Sequence, residues 1–294
     1  AGAAVSLSDR WSLSFGDARA DPDRWPRRAR EILTCPVDVL LASGGDHRAI
    51  PHLGRNSYGF PVVDPRPLVR GSSCTTTPPD EVAIDALVRW QRRSLTRLER
   101  AVTLEPIDAW RAEIVEPLLR HLRLDAENTR RVVLTPSGTD TEPLLTALTL
   151  TSTDRPLRNI LVGSLEAGSA TQPAAAGRGS GAQTPFRSAV SVGEPLAEFA
   201  VDRVSIVDVE VRDGSGRPRR AFDVEAEVEA HIEDAIDCGE RVLVHGMAGS
   251  KTGLTQLEPA WIRAWSSKHR DIRTVVDAAQ CRVSVRDVAA YLDA

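Results

Sequence analysis

The chain has 294 residues, 41% of them hydrophobic and 27% charged, enough apolar side chain to bury one large core or two modest ones and to exclude disorder throughout. Its 37 basic and 41 acidic residues leave a formal charge of -4, so no overall basic field exists and nucleic acid is not an expected partner. No run of eighteen apolar residues occurs, and Ala1 to Arg10 lacks the basic-then-apolar order of a signal peptide, so a cytoplasmic protein without a membrane partner is expected.

Residues 1–79 are rich in Pro, Gly and Arg, with one predicted helix around Asp23 to Leu33. The polar, turn-rich passage from Gly44 to Thr77 holds too few apolar residues to fold alone, so 1–79 reads as an arm lying across a core built from 80–294. Pro78-Pro79-Asp80 opens a strong helix, with Val82, Ile84, Leu87, Val88, Trp90, Leu95 and Leu98 as its apolar stripe, and a second helix is predicted from Pro106 to Leu122.

From there short apolar strands alternate with helices. The predicted order is a strand at Arg131–Leu134, a helix from Thr141, a strand at Asn159–Val162, a small-residue helix from about Gly168 and a strand at Val204–Val209. A helix at Asp223–Ile236, a strand at Val242–His245, a helix at Pro259–Lys268, a strand at Thr274–Asp277 and a helix at Val285–Leu292 complete it. This alternation predicts an α/β fold, a mostly parallel sheet with helices on both faces. Cys35, Cys74, Cys238 and Cys281 are widely spaced, without C-x-x-C or a histidine at metal spacing, so four reduced and mostly buried thiols are expected, with no metal site.

In parallel sheets ligands bind at the carboxyl ends of the strands, and three such ends carry chemistry. At Pro136-Ser137-Gly138-Thr139-Asp140, hydroxyls, a glycine and a new helix N-terminus together suit a phosphate; a plain capping turn by Ser137 or Thr139 is the alternative. The stretch from His245 to Gly253 is a glycine-rich polar loop whose donors could meet a ring hydroxyl or a carboxylate. Taken alone, the loop reads rather as a packed, hydrogen-bonded core histidine at His245 and a solvated charge at Lys251. Last, Val275-Val276-Asp277 delivers a carboxylate beside the small Ala278 and Ala279, where a buried acid needs a cation, unless Asp277 caps a helix.

As an ordered set these three stretches resemble the fold type I family of pyridoxal-phosphate enzymes, within it the class V aminotransferase and cysteine desulfurase branch. The likeness covers about residues 80 to 290. It implies a pyridoxal 5'-phosphate cofactor whose phosphate sits on Ser137, Gly138 and Thr139. It also implies that the pyridinium nitrogen pairs with Asp277 and that His245, Ser250 and Gln280 lie around the ring, although the His245 to Gly253 loop is two residues longer than the family's pattern. An aminotransferase or lyase acting at the α-carbon of an amino acid or amine is implied, with a homodimer as the common assembly. Selectivity is expected from the arm, with Arg48, Asn56 and Tyr58 as candidate substrate contacts and Arg55, Arg66 or Arg70 as possible carboxylate clamps; solvation of the arginines and packing of Tyr58 are the plain alternatives.

Two departures stand out. No aromatic or histidine occupies Ser164 to Ser169, where the family stacks a residue on the ring, so Glu166 or a small neighbour takes that place, or another segment covers the ring. No lysine follows Asp277 to form the family's Schiff base, and the family's small C-terminal domain has no counterpart in the 294 residues. A fragment or split protein completed by a C-terminal chain, a lysine-free binding scaffold without independent catalysis, and recruitment of Lys251 are the competing explanations; the position of Lys251 before the Asp-bearing strand argues against the last.

Overall fold

The computed structural model describes residues 29–31, 33–37, 49–50, 55–56, 59–61, 78–100, 106–124, 132–135, 137–152, 154–180, 191–196, 199–278 and 283–294. They fall into two compact units, the first comprising 1–120, 125–132 and 182–190, the second 121–124, 133–181 and 191–294. Arg48, Tyr58 and Gln280, together with Arg66, Arg70, Cys74 and Cys281, lie outside the described residues.

In the first unit, strands β1 (Ala49–Ile50) and β2 (Arg55–Asn56) form a two-residue antiparallel pair. Helix α1 (Glu81–Arg100) begins where the Asp80 carboxylate accepts the Ala83 N–H at 2.8 Å, the cap that Pro78-Pro79-Asp80 predicts. Helix α2 (Pro106–Leu122) meets it through an edge-on contact of Trp90 and Trp110, ring centroids 6.1 Å apart, and through an Arg97–Glu113 ion pair. The expected apolar stripe of α1 is only partly covered: Val82 is 74% exposed, and the buried α1 residues are Gln91 and Ser94. Gln91 is held inside because its amide donates to the Cys35 carbonyl at 2.9 Å, which satisfies a group that would otherwise be costly to bury.

The second unit is built on four parallel strands: β3 (Leu157–Val162), β4 (Val204–Val209), β5 (Arg241–Met247) and β6 (Ile272–Asp277), in the spatial order β4-β3-β5-β6. Every pairing is parallel, with Leu161 opposite both Asp208 and His245, and Met247 opposite Asp277. Helix α3 (Gly138–Leu150) precedes the sheet, the short α4 (Ser164–Ala167) and α5 (Thr171–Ala175) follow β3, α6 (Ala221–Asp237) follows β4, α7 (Pro259–Lys268) follows β5, and α8 (Val285–Leu292) follows β6. The α/β class expected from the alternation is therefore the observed one.

Side-chain alternation divides the core between two faces. Ile160, Val162, Val207, Val209, Val242 and Val244 point to one face. There they meet Val224, Val228, Ile232 and Ala235, a stripe at helical spacing on α6, together with Ile262 and Trp265 of α7. Each such side chain contributes roughly 1.5–3 kcal/mol of burial, which makes this face the main source of cohesion. The opposite face is thinner: Leu157 and Leu243 pack with Leu150 of α3, and Asn159 donates its amide to Thr146 Oγ1 at 3.0 Å and to the Ala175 carbonyl at 2.8 Å. Here α3 turns polar side chains, Glu142, Thr146 and Thr149, toward the interior.

Some expectations change. Val132 to Thr135 form no strand, because no described strand lies alongside to take up their hydrogen bonds. The helix expected from Thr141 starts at Gly138, and the expected small-residue helix is two short turns. Cys238 is exposed and Cys35 half-buried, contrary to expectation, since Cys238 caps α6 at the turn into β5. No described helix is long and apolar enough to cross a membrane.

Candidate functional site

Strand order fixes where a ligand site belongs. After β3 the chain moves out to β4 on one side; after β5 it moves out to β6 on the other, so the crevice between the carboxyl ends of β3 and β5 is the topological switch point. The segments that emerge there are Gly163 to Glu166 and Ala248 to Gly253. Gly163 begins the first of them with φ 73°, and a side chain there would meet Val211 at 2.9 Å, so only glycine fits.

Glu166 joins the two segments. It is 7% exposed, and its carboxylate accepts from Arg212 Nε at 2.6 Å, Ser250 Oγ at 2.9 Å and Thr252 Oγ1 at 2.6 Å, while its carbonyl accepts the Lys251 N–H at 3.3 Å. Burial by itself would raise the Glu166 pKa; the hydrogen bonds from Thr252, Arg212 and Ser250 and the Arg212 charge outweigh it and hold the group at about 2. Arg212 also donates to Thr252 Oγ1 at 2.7 Å and to the Gly216 carbonyl at 2.8 Å, which fixes the fork in place. Glu166, expected as a stand-in for a ring-stacking residue, is thus a buried anchor for the loop after β5, and the Ser250 hydroxyl is engaged with it.

The loop closes back on the sheet. Ser250 Oγ accepts the Thr252 and Leu254 N–H groups at 3.2 and 3.0 Å, and Gln256 N–H donates to the Met247 carbonyl at 2.7 Å. Leu257, completely buried, is held at φ 63°, a left-handed conformation that costs a branched side chain of order 1 kcal/mol and persists because its neighbours leave it no other place. Lys251 is exposed, the solvated position expected for a loop charge.

His245 lies on the same face of β5 as its register partners Leu161 and Val275 and is 6% exposed. Its Nδ1 lies 3.1 Å from Oε2 of Glu142, one turn into α3 and itself 9% exposed. The approach is off line for a hydrogen bond, and among the described residues both ring nitrogens of His245 and Oε2 of Glu142 have no hydrogen-bond partner. His245 is therefore packed, as expected of a core histidine, but makes no hydrogen bond among the described residues.

That contact brings the Ser137–Thr139 turn to the carboxyl edge of the sheet. Ser137 caps α3: its Oγ accepts the Asp140 N–H at 3.2 Å and donates to the Asp140 carboxylate at 2.6 Å. Thr135 and Thr141 hydroxyls, 2.7 Å apart, lie against the Ser137 carbonyl. The capping role is thus realised for Ser137, while Thr139 is half-buried beside it. A Cβ on Gly138 would meet nothing within 4 Å, so the start of the helix faces open space.

Asp277 completes the edge. It is half-buried, sits opposite Met247, and its carbonyl accepts the Ala248 N–H at 2.9 Å, so the ends of β5 and β6 are locked in register. The three stretches singled out in the sequence therefore converge at one edge of one sheet. No family model, curated protein or solved structure matches the chain.

Of the remaining candidates, Asn56 is in β2 of the first unit, paired opposite Ala49. One cluster was not singled out from the sequence: Asp208, near the end of β4, accepts from Ser164 Oγ at 2.7 Å, Ser164 N–H at 3.2 Å and Gln172 Nε2 at 2.6 Å. A carboxylate inside the β-branched run Val204 to Val209 was the available signal. Among the described residues no three His, Cys, Asp or Glu side chains gather as a metal site.

Proposed function

We propose that this chain is the cofactor-binding domain of a pyridoxal-phosphate-dependent enzyme acting at the α-carbon of an amino acid or amine, as an aminotransferase or lyase. The observation that carries the reading is the convergence of the α3 N-terminus, His245 and Asp277 around a topological switch point. The residues fit the group in chemistry: a helix start facing open space suits a phosphate, a half-buried carboxylate suits a pyridinium nitrogen, and the ring nitrogens of His245, without a hydrogen bond among the described residues, are buried close by. When bound, the cofactor supplies an electron sink for charge developing at the α-carbon.

In this reading Gly138 and Thr139 offer main-chain N–H groups to the phosphate, and Ser137 turns its hydroxyl from Asp140 to join them. Asp277 keeps the pyridinium nitrogen protonated. Ser250 shapes the loop through Glu166 rather than touching the ring. A second reading is a cofactor-binding scaffold without a covalent attachment of its own; of the lysines in these 294 residues, Lys251 is exposed, and Lys268 lies over Trp265 at 4.3 Å and near Glu233 at 3.9 Å.

Titration with pyridoxal 5'-phosphate, followed by absorbance and by borohydride reduction with peptide mapping, tests both. A saturable spectral change that Asp277→Asn weakens about tenfold, the scale of losing one charge-assisted hydrogen bond at a half-buried site, is the expected result. Reduction onto Lys251 marks covalent attachment; spectral change without a reduced lysine marks the scaffold. A wild-type protein that leaves the cofactor spectrum unchanged refutes the proposal.

A further inference from the structure

The Glu142–His245 contact is a buried carboxylate against a buried imidazole, each about nine-tenths covered, with three polar atoms that make no hydrogen bond among the described residues. Each unpaired buried atom costs about 1–3 kcal/mol, and such groups are rare in folded proteins without a reason. Separation is not the obstacle, since 3.1 Å is hydrogen-bond distance; a rotation of either side chain brings Nδ1 into line with Oε2. A carboxylate can only accept, so the nitrogen that faces it carries the proton. In a neutral imidazole the other nitrogen then holds a lone pair, and among the described residues nothing donates to Nε2.

We propose that Glu142 is a positioning residue that fixes His245 as the Nδ1–H tautomer, so that the β5 end presents the Nε2 lone pair to an N–H donor of the bound ligand. The ligand class that matches is an amine. Leu161 and Val275 flank His245 on the adjacent strands and have no polar side-chain atoms, so neither competes for Nε2. The ligand half of this proposal rests on the cofactor-site reading; the tautomer half stands on the contact alone.

The tautomer half is read first, in the full chain without ligand, from the side-chain nitrogen resonances of the six histidines at pH 8, with His245 assigned by its loss in His245→Gln. His245 is expected as the Nδ1–H form. Glu142→Leu, which removes the acceptor but keeps an apolar side chain of similar size, is expected to lower the Nδ1–H to Nε2–H ratio about tenfold, the yield of one charge-assisted hydrogen bond. An Nε2–H form in the wild type, or a ratio unmoved in Glu142→Leu, overturns the tautomer claim whatever the cofactor result.

The ligand half compares pyridoxamine 5'-phosphate, which carries an amino group, with pyridoxal 5'-phosphate, which does not. The amine form is expected to move the Nε2 resonance and to lose about tenfold in affinity in Glu142→Leu, while the aldehyde form changes little. Equal losses for both overturn the assignment of the lone pair to an amine. Failure of both to bind the wild type refutes the cofactor reading and the ligand half together, with the tautomer result standing separately.

Discussion

Replacing Glu166 by glutamine removes a charge without removing a side chain, and the structure sets the size of the effect. The carboxylate is 7% exposed and its pKa is held at about 2 against a reference of 4.5, a difference worth about 3 kcal/mol by linkage. The sign follows from the direction of the shift. A depressed folded-state pKa means the contribution is fully present above pH 4.5 and is lost as pH falls toward 2. Urea unfolding of wild type and Glu166→Gln, followed by circular dichroism, should therefore differ by about 3 kcal/mol at pH 7 and by only about 1 kcal/mol at pH 3. The loss should come with faster hydrogen exchange in 248–256, the segment that Glu166 anchors, and not in α6. A gap of the same size at both pH values, or one under about 0.5 kcal/mol at pH 7, refutes the assignment of Glu166 as an ionised anchor.

Other substitutions probe the parts around it. Gly177→Ala places a Cβ 2.2 Å from the Phe199 ring at φ 71° and should cost more than about 2 kcal/mol in thermal unfolding. Gly239→Ala, at φ 74° with nothing within 4 Å, should cost only about 1 kcal/mol; equal losses would show that the ring moves freely. Ile232→Ala empties a fully buried position between α6 and the sheet and should lower stability by about 3–4 kcal/mol in urea titration, with a loss under about 1 kcal/mol refuting the packing. Ser137→Ala should remove about 1 kcal/mol with the cap and, in addition, weaken pyridoxal 5'-phosphate binding; loss of stability with unchanged cofactor affinity would leave Ser137 a cap alone.

The strands and most helices were legible because their signals are local. Val204–Val209 and Ile272–Asp277 are β-branched runs, Pro259 marks the start of α7, and Val224, Val228, Ile232 and Ala235 repeat at helical spacing. Position along the chain also showed Ser137, His245 and Asp277 at element ends. What position could not give is the partner of each: Glu166 looked like a ring neighbour and is a buried anchor, Ser250 looked like a ligand donor and is bonded to Glu166, and Arg131–Leu134 looked like a strand, yet its described residues, Val132 to Leu134, have no described strand beside them.

Parallel sheets explain the difference. Which strand lies next to which is chosen by long-range packing, and the order β4-β3-β5-β6 puts residues 84 positions apart, Glu166 and Ser250, within hydrogen-bond distance. The amino-acid sequence by itself determined that three polar stretches each follow or precede an apolar segment, since that depends on periodicity. Only the tertiary structure decided that they share one edge, that Glu142 faces His245, and that the polar face of α3 is the buried one. Those outcomes depend on desolvating charges and hydroxyls against specific partners, and no local pattern names the partner.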